Sequence, residues 1–467
     1  LVKAKFYFNK LLKIDDKNIK SYLLLGEVLC DTHSLNQGLK LFKKAIKLDE
    51  KDHTSHSFLL FYSNYCPNHT SEEIFSYYQQ FDNKFGLPLR KEWKPFTPLK
   101  KPKKKLKIGY VSPDFRNHSM KGFLKPVLAN HNHEHFEIYA FAELSKEDHV
   151  TKQYQSYVDH WIPTQNLTDQ QMVQKIRDLE IDILVDLAGH TNENRLGVFA
   201  RKPAPVSLSW WIGSGYTTGL SSIDYFITDN VMGPKECNHL FSEKIYHLPH
   251  HAAIYEFNST QIGDVGPLPA LEKGHITFGT LTRAIRINDR VIKVWADILK
   301  RVKHSRLIIN SSDFVNYKTK RILISKFNEL KIDINRIEIG FQSPPWDTMR
   351  KIDIALDCFP NNSGTTLLEH VYMGNPFVTY SNRIGVGKLG ASILTALGRE
   401  EWIANSEQEY VDKIVTLATN KEKLSSIRKS LREEIEASPI MNHKGFVRRL
   451  EKTYQSMWEN FITKNNM

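Results

Sequence analysis

The stretch DIALDCFPNNSGTTLLEHVYMG, residues 353–374, decides how the rest of the chain is read. Residues 352–356 form an apolar run broken only by Asp353, the pattern of a buried parallel strand. Pro360, Asn361, Asn362, Ser363 and Gly364 stop that strand with loop chemistry. Thr365 and Thr366 follow, and 367–373 reads as a helix. Strand, small-residue loop and helix start together make a phosphate site. The loop lets backbone approach closely, and the free N–H groups of the first helical turn face the anion. On this reading Gly364, Thr365 and Thr366 line the phosphate site, and Glu369, one turn further in, is placed to hold ribose hydroxyls. The same pattern also fits an ordinary βα junction with Thr365 as N-cap, and local sequence alone leaves both readings open.

Outward from this stretch, strands alternate with helices. Strands are expected at 275–280, 305–310, 335–339 and 376–380 around it, with a helix at 291–301. An earlier set is expected at 107–112, 136–142, 181–188, 206–212 and 223–228, with an amphipathic helix at 170–179. A turn-rich patch, 258–274, separates the two sets. Two doubly wound halves in tandem, without GxGxxG after either first strand, argue against a dinucleotide dehydrogenase and for two Rossmann-like lobes with a ligand in the cleft.

The N-terminal stretch is helical and repetitive. Ala4, Phe8 and Leu11 are echoed 34 residues later by Gly38, Phe42 and Ala45. Residues 19–52 resemble one tetratricopeptide repeat, with Tyr22, Leu25, Gly26, Leu29, Phe42 and Ala45 at its packing positions, and 1–18 resemble the end of another. One and a half repeats cannot bury a solenoid core. Either more repeats precede Leu1 or the piece docks on the next domain, with 53–85 expected to cap it. The expected division is a repeat segment at 1–90, a basic Pro/Lys linker at 91–106, a first lobe at 107–260 and a second at 261–467 ending in an amphipathic helix with Phe446, Leu450, Tyr454 and Trp458 four apart.

Composition narrows the class. The chain has 467 residues, 41% hydrophobic and 25% charged, ordinary for a globular protein. No apolar run reaches the roughly 18 residues of a membrane span, so no membrane partner is expected. Of the +12 formal charge, much is one local run, seven lysines within 94–107, which argues for a solvated linker against a nucleic-acid partner. Four scattered cysteines without CxxC point to reduced thiols and a cytoplasmic location.

Long motifs then carry a resemblance. KIGYVSPDFRNHS (107–119), IDILVDLAGHT (181–191), ARKPAPVSLSWWIG (200–213), DYFITD (224–229), the stretch 353–369 and YMGNPFVT (372–379) resemble the catalytic region of the protein O-GlcNAc transferase and Spindly family. The resemblance implies an α/β GT-B fold, two Rossmann-like lobes preceded by an α-helical tetratricopeptide-repeat segment. It also implies an inverting glycosyltransferase that moves a sugar, GlcNAc from UDP-GlcNAc, to Ser/Thr hydroxyls of protein acceptors presented by the repeats and the cleft. The nucleotide sugar is a co-substrate, and no cofactor is implied. AGHTNENRLG and YTTGLSSIDYFITD look closer to the Spindly branch, which includes enzymes that transfer fucose from GDP-fucose.

Such a transfer needs a base near the acceptor hydroxyl and positive charge near the departing diphosphate. His118, in a polar loop after the strand ending at Ser112, matches the family's proposed base position. His190 follows Gly189 at the same sheet edge, and Asp186 is placed either to orient a histidine or as a buried structural carboxylate. Arg286 stands where the family usually has the lysine that contacts the donor diphosphate. Gly340 and Gln342 would bring backbone groups beside the nucleobase, but Pro345 and Trp346 occupy the neighbourhood where the family has a histidine. These two departures favour a second class, a repeat-bearing binding protein with a decayed donor pocket. The intact His118, His190, Gly364, Thr365, Thr366 and Glu369 favour the enzyme.

No metal site is expected. The chain has no D-x-D, and the spacing of His247, His250 and His251 fits no common zinc set. Loop 361–366 offers N–H groups and hydroxyls but no carboxylate, with Arg286 as the cation, and a helix N-terminus with a guanidinium can stabilise a leaving diphosphate unaided. Transfer rates at saturating donor and acceptor should therefore be equal with and without excess EDTA. Activity lost in EDTA and restored by Mn²⁺ would show that the diphosphate is held differently.

Overall fold

The computed structural model describes residues 2–96, 105–210 and 215–465. It forms two compact units, each built from two separated pieces of chain: Thr70–Glu256 with Pro439–Met467, and Leu1–His69 with Phe257–Ser438.

The first unit is built on seven parallel strands: β1 (Leu106–Ser112), β2 (Phe136–Ala142), β3 (His160–Pro163), β4 (Ile183–Asp186), β5 (Val206–Trp210), β6 (Tyr225–Thr228) and β7 (Lys244–His247), in the order β3-β2-β1-β4-β5-β6-β7. The central strands are buried along almost their whole length, as a parallel sheet covered on both faces requires. β3 and β7, which sequence reasoning missed, are the short edge strands; half-exposed, they carry no apolar run to betray them. The strand expected over 206–212 is described to Trp210, and the remaining residues lie outside the described ones. So do residues 97–104 of the expected linker.

The second unit has six parallel strands: β8 (Thr277–Thr280), β9 (Arg306–Asn310), β10 (Ile337–Gly340), β11 (Ile354–Leu356), β12 (Phe377–Tyr380) and β13 (Ile403–Ala404), in the order β10-β9-β8-β11-β12-β13. β13, two residues long, was not expected. In the same unit the helices Ile19–Cys30 and Leu35–Leu48 pack as the repeat positions predict. A Cβ on Gly26 would lie 2.4 Å from the Phe42 ring, and one on Gly38 would lie 2.6 Å from the Gly26 carbonyl oxygen, so the two helices meet through their glycines. Tyr22, Leu25, Leu29, Phe42 and Ala45 are buried around that contact. Two Rossmann-like parallel sheets preceded by a helical segment make up the GT-B fold that the sequence implied.

The division of the chain differs from the expected one in two places. Segment 53–85 is not one cap: helix His53–Ser63 belongs with the second unit, helix Ser71–Phe81 with the first. The amphipathic tail, counted above with the second lobe, belongs with the first. Its helix, His443–Asn465, buries Phe446, Leu450, Tyr454 and Trp458, and Phe446 stacks on Trp210 at 5.8 Å.

The tail is also fastened by a buried polar chain. The Tyr454 hydroxyl lies 3.0 Å from that of Tyr110, whose oxygen is 2.8 Å from His131 Nε2. His131 Nδ1 lies 3.1 Å from a Glu451 carboxylate oxygen, which also accepts the Asn132 N–H at 2.7 Å. One assignment satisfies every member: neutral His131 donates through Nδ1 to an ionised Glu451. Burial keeps His131 below its ordinary 6.5. Burial works against Glu451, but the His131 ring, the Asn132 N–H and Arg448 outweigh it and hold the carboxyl below 4.5. Both groups bind fewer protons folded than unfolded. Their contribution is complete above the unfolded values and is lost as pH falls through the folded ones. Glu451 is what holds the His131 pKa up against burial, so differential scanning calorimetry of Glu451→Gln should give a lower Tm at pH 7 and a steeper loss of Tm as pH falls from 6.5 to 4.5 than the parent chain; an unchanged slope would show that this chain of bonds carries no pH-linked stability.

Candidate active site

In a doubly wound sheet, ligands bind beyond the carboxyl ends of the strands where the winding reverses. The two strand orders place that point between β1 and β4 in one unit and between β8 and β11 in the other.

In the second unit, β8 runs out into Thr282–Arg286 and β11 into Asp357–Gly364. The two loops are tied together: Ser363 Oγ donates to Thr282 Oγ1 at 2.9 Å, Asn288 Nδ2 to the Phe359 carbonyl at 2.6 Å, and Arg286 Nε to Asn361 Oδ1 at 3.1 Å. The β11 loop is shaped from inside by Asp357, 1% exposed. Its carboxylate accepts the N–H groups of Cys358 and Ser363 at 2.8 and 2.9 Å and the Thr379 hydroxyl at 2.8 Å. Burial pushes its pKa up to about 7 in spite of these donors and of Arg286. The helix Thr365–Tyr372 then starts from Gly364 with no side chain capping it. A Cβ on Gly364 would stand 3.0 Å from Leu389, which explains the glycine. Gly364, Thr365, Thr366 and Glu369 are half-buried. The structure thus brings Arg286, Gly364, Thr365 and Thr366 to one sheet edge, around uncapped helical N–H groups suited to an anion.

Gly340 and Gln342 stand elsewhere in the same unit, at the end of β10, and their backbone is less available than the sequence reading supposed. Asn310 reaches across from β9: its Oδ1 accepts the Gln342 N–H at 2.7 Å and its Nδ2 donates to the Gln342 carbonyl at 3.0 Å. The Gly340 carbonyl accepts the Ser311 N–H. Asn310, which ends the neighbouring strand, thus takes both backbone groups of Gln342.

In the first unit, His118 lies in the loop between β1 and helix Lys121–Leu128. That loop is held by Asp148, an N-cap that also accepts the Asn117 N–H at 2.8 Å. His118 Nδ1 is 3.4 Å from Asp114 Oδ1, and the His118 side chain is 36% exposed. The Met120 N–H also points at Nδ1, at 3.4 Å. The Asp114 carboxylate stands at ion-pair distance and makes no hydrogen bond to the ring, so it acts on His118 through its charge. Burial, with Arg116 adding to it, keeps the imidazole below its ordinary pKa although Asp114 pulls the other way. The ring is therefore neutral at pH 7.

His190 and Asp186 have other surroundings. His190 is 2% exposed, its Nε2 lies 2.7 Å from the Thr218 carbonyl, and its ring meets Tyr78 and Phe81 edge-on at 5.2 and 4.8 Å. Asp186 accepts the N–H groups of Ala188 and Gly189 and the Ser209 hydroxyl, and so shapes the turn after β4 in the manner of a structural carboxylate. Asp114 and Asp357 were missed. The i, i+4 spacing of Asp114 and His118 and the acid that ends the apolar run before 358 were the available signals.

These two sheets, with their reversal-point loops, have the architecture of GT-B glycosyltransferases. The model of glycosyl transferase family 41 matches residues 87–260 and 269–450, and the chain belongs to that family. It is 32% identical over 424 residues to the Solanum lycopersicum protein SPINDLY, described as a probable UDP-N-acetylglucosamine–peptide N-acetylglucosaminyltransferase, an alignment covering 89% of this chain and 45% of that protein. It is 29% identical over 393 residues to the Arabidopsis thaliana protein SEC, with the same description, covering 80% and 39%. The chain therefore spans less than half the length of these relatives. Among solved structures it matches a mutant of the Thermobaculum terrenum O-GlcNAc transferase with a TM-score of 0.92 at 27% identity, over 99% of this chain and 88% of that one.

The Asp357 geometry makes a stability prediction. An acid whose folded pKa is raised from 3.8 to about 7 contributes stability that is full below 3.8 and is lost as pH rises through about 7. Asp357→Asn should remove that decline between pH 5 and 8 in urea unfolding. Asp357→Ala leaves buried donors unpaired, at about 1–3 kcal/mol each, and should lower stability by at least ~2 kcal/mol; a loss under about 0.5 kcal/mol would show that the loop does not depend on this carboxylate.

Proposed function

We propose that the chain is an inverting protein O-glycosyltransferase that transfers GlcNAc from UDP-GlcNAc to Ser or Thr hydroxyls of protein acceptors. The observation that carries this reading is the imidazole at one reversal point: neutral, half-exposed, and 3.4 Å through Nδ1 from the Asp114 carboxylate. In the proposed step the His118 ring accepts the acceptor's hydroxyl proton. The oxygen bonds the anomeric carbon on the face opposite the diphosphate, and the carbon–oxygen bond to the diphosphate breaks with its electron pair on the nucleotide. Arg286, the Thr365 and Thr366 hydroxyls and the uncapped N–H groups of helix Thr365–Tyr372 offset the charge that grows there. His190 and Asp186 act behind His118, fixing the neighbouring turn. The repeat helices supply the acceptor-binding segment.

A second donor is favoured by one observation. The backbone of Gln342 is consumed by Asn310, and Pro345 and Trp346 stand where the family has a histidine, so base recognition departs from the UDP pattern. GDP-fucose, used in the Spindly branch, is the donor in this reading. A cytoplasmic location fits either; among the described residues no helix is long and apolar enough to cross a membrane.

Thermal shift with UDP, GDP and their sugars separates the two donors, since a ligand that binds the fold raises Tm by mass action. With the donor so identified, His118→Ala should reduce transfer at least ~100-fold, the low end for a general base, with nucleotide affinity unchanged. Full transfer by that variant would rule out His118 as the base.

A further inference from the structure

The cation of the donor site does not stand alone. Residues 64–69 follow helix His53–Ser63, the last helix of the N-terminal segment in the second unit. Arg383, just beyond β12, donates to the carbonyls of Cys66 at 3.1 Å, His69 at 3.2 Å and Asn64. Arg290 donates to the Pro67 carbonyl at 2.9 Å and is itself held by Glu407 at 2.8 Å. Two guanidinium groups therefore take four carbonyls within six residues and fix this piece of backbone. Its one buried aromatic ring, Tyr65, is 5% exposed and packs in the core of the repeat helices beside Ile285. The guanidinium of Arg286 lies over that ring, 5.7 Å from its centroid.

Arg286 is thus held on two sides. Asn361 takes its Nε–H, and Tyr65 supports its plane. Among the described residues its terminal nitrogens make no hydrogen bond. That leaves the flat fork of two nitrogens, the geometry that grips phosphate oxygens in pairs. A tyrosine ring attracts either cation, but only the guanidinium keeps a fork of two terminal nitrogens for the anion.

We propose that Tyr65 is a positioning residue for the donor diphosphate: its ring carries the Arg286 guanidinium and presents both terminal nitrogens to the anion. A residue of the N-terminal helical segment would then be part of the donor site. This rests on the reading of Arg286 as the phosphate cation.

The test uses the full chain, with UDP and GDP binding measured by calorimetry, uridine and guanosine as phosphate-free controls, and donor KM and kcat measured separately. A cation–π contact is worth about 0.5–2 kcal/mol, so Tyr65→Leu should weaken diphosphate binding about 2- to 30-fold, raise donor KM and lower kcat, with nucleoside affinity within twofold. Tyr65→Phe should match the parent. Should the leucine variant fail to fold, pentafluorophenylalanine at position 65 keeps the shape and reverses the ring's charge distribution, and should give the same loss. In an Arg286→Gln background, with no cation for the ring to carry, loss of the ring should change binding less than twofold. An equal loss in both backgrounds, or an equal loss of nucleoside affinity, would reduce Tyr65 to a core residue and overturn the proposal. Arg286→Met separates the two claims: unchanged diphosphate binding in that variant overturns the phosphate reading itself, whatever Tyr65 does.

Discussion

A carboxylate taken out of water must be given donors, and both lobes are organised around that requirement at the same place. The fourth strand of each sheet begins and ends with a buried aspartate: Asp182 and Asp186 bracket β4, Asp353 and Asp357 bracket β11. At the start, each carboxylate accepts a backbone N–H from the first strand, Lys107 in one lobe at 2.9 Å and Thr277 in the other at 2.7 Å. At the end, each accepts two N–H groups of the following turn and one hydroxyl from the fifth strand, Ser209 or Thr379. An aspartate reaches only a few ångströms, so these bonds fix where the chain goes after the strand. These bonds hold the reversal-point loops in place, because a misplaced turn would leave a buried carboxyl without donors.

The fixed turns deliver different groups in the two lobes. After β11 the turn delivers an uncapped helix start and Asn361, the anchor for Arg286. After β4 it delivers the backbone that precedes His190, whose ring is enclosed by Tyr78 and Phe81. Donors fixed in this way would cost no reorganisation where charge develops.

Legibility in the sequence followed burial. Central strands such as β1 and β4 are rich in buried apolar residues, and the repeat helices announce themselves by glycines that touch. Edge strands β3 and β7 are half wet and read as loop. The loop and helix start at 361–366 were legible because small-residue loop chemistry is local. Asp357, Asn310 and Tyr65 were not, because each acts on a partner far along the chain: Thr379, Gln342 and Arg286. The pair IDILVD and IDIALD, 181–186 and 352–357, held the strand-end rule in plain letters, but its meaning depends on which strand lies alongside.

The interleaving of the two units bears on synthesis. The lobe that begins at Thr70 is completed by a helix that starts at His443, and the segment before His69 packs in the lobe that runs from Phe257 to Ser438. On the ribosome neither unit can close in turn. The first sheet must wait, with Trp210, Tyr110 and His131 unshielded, while some 180 residues of the other lobe emerge at about 5–20 residues per second. For on the order of ten seconds or more the nascent chain carries an open core, so newly made protein needs a chaperone more than the finished fold would suggest.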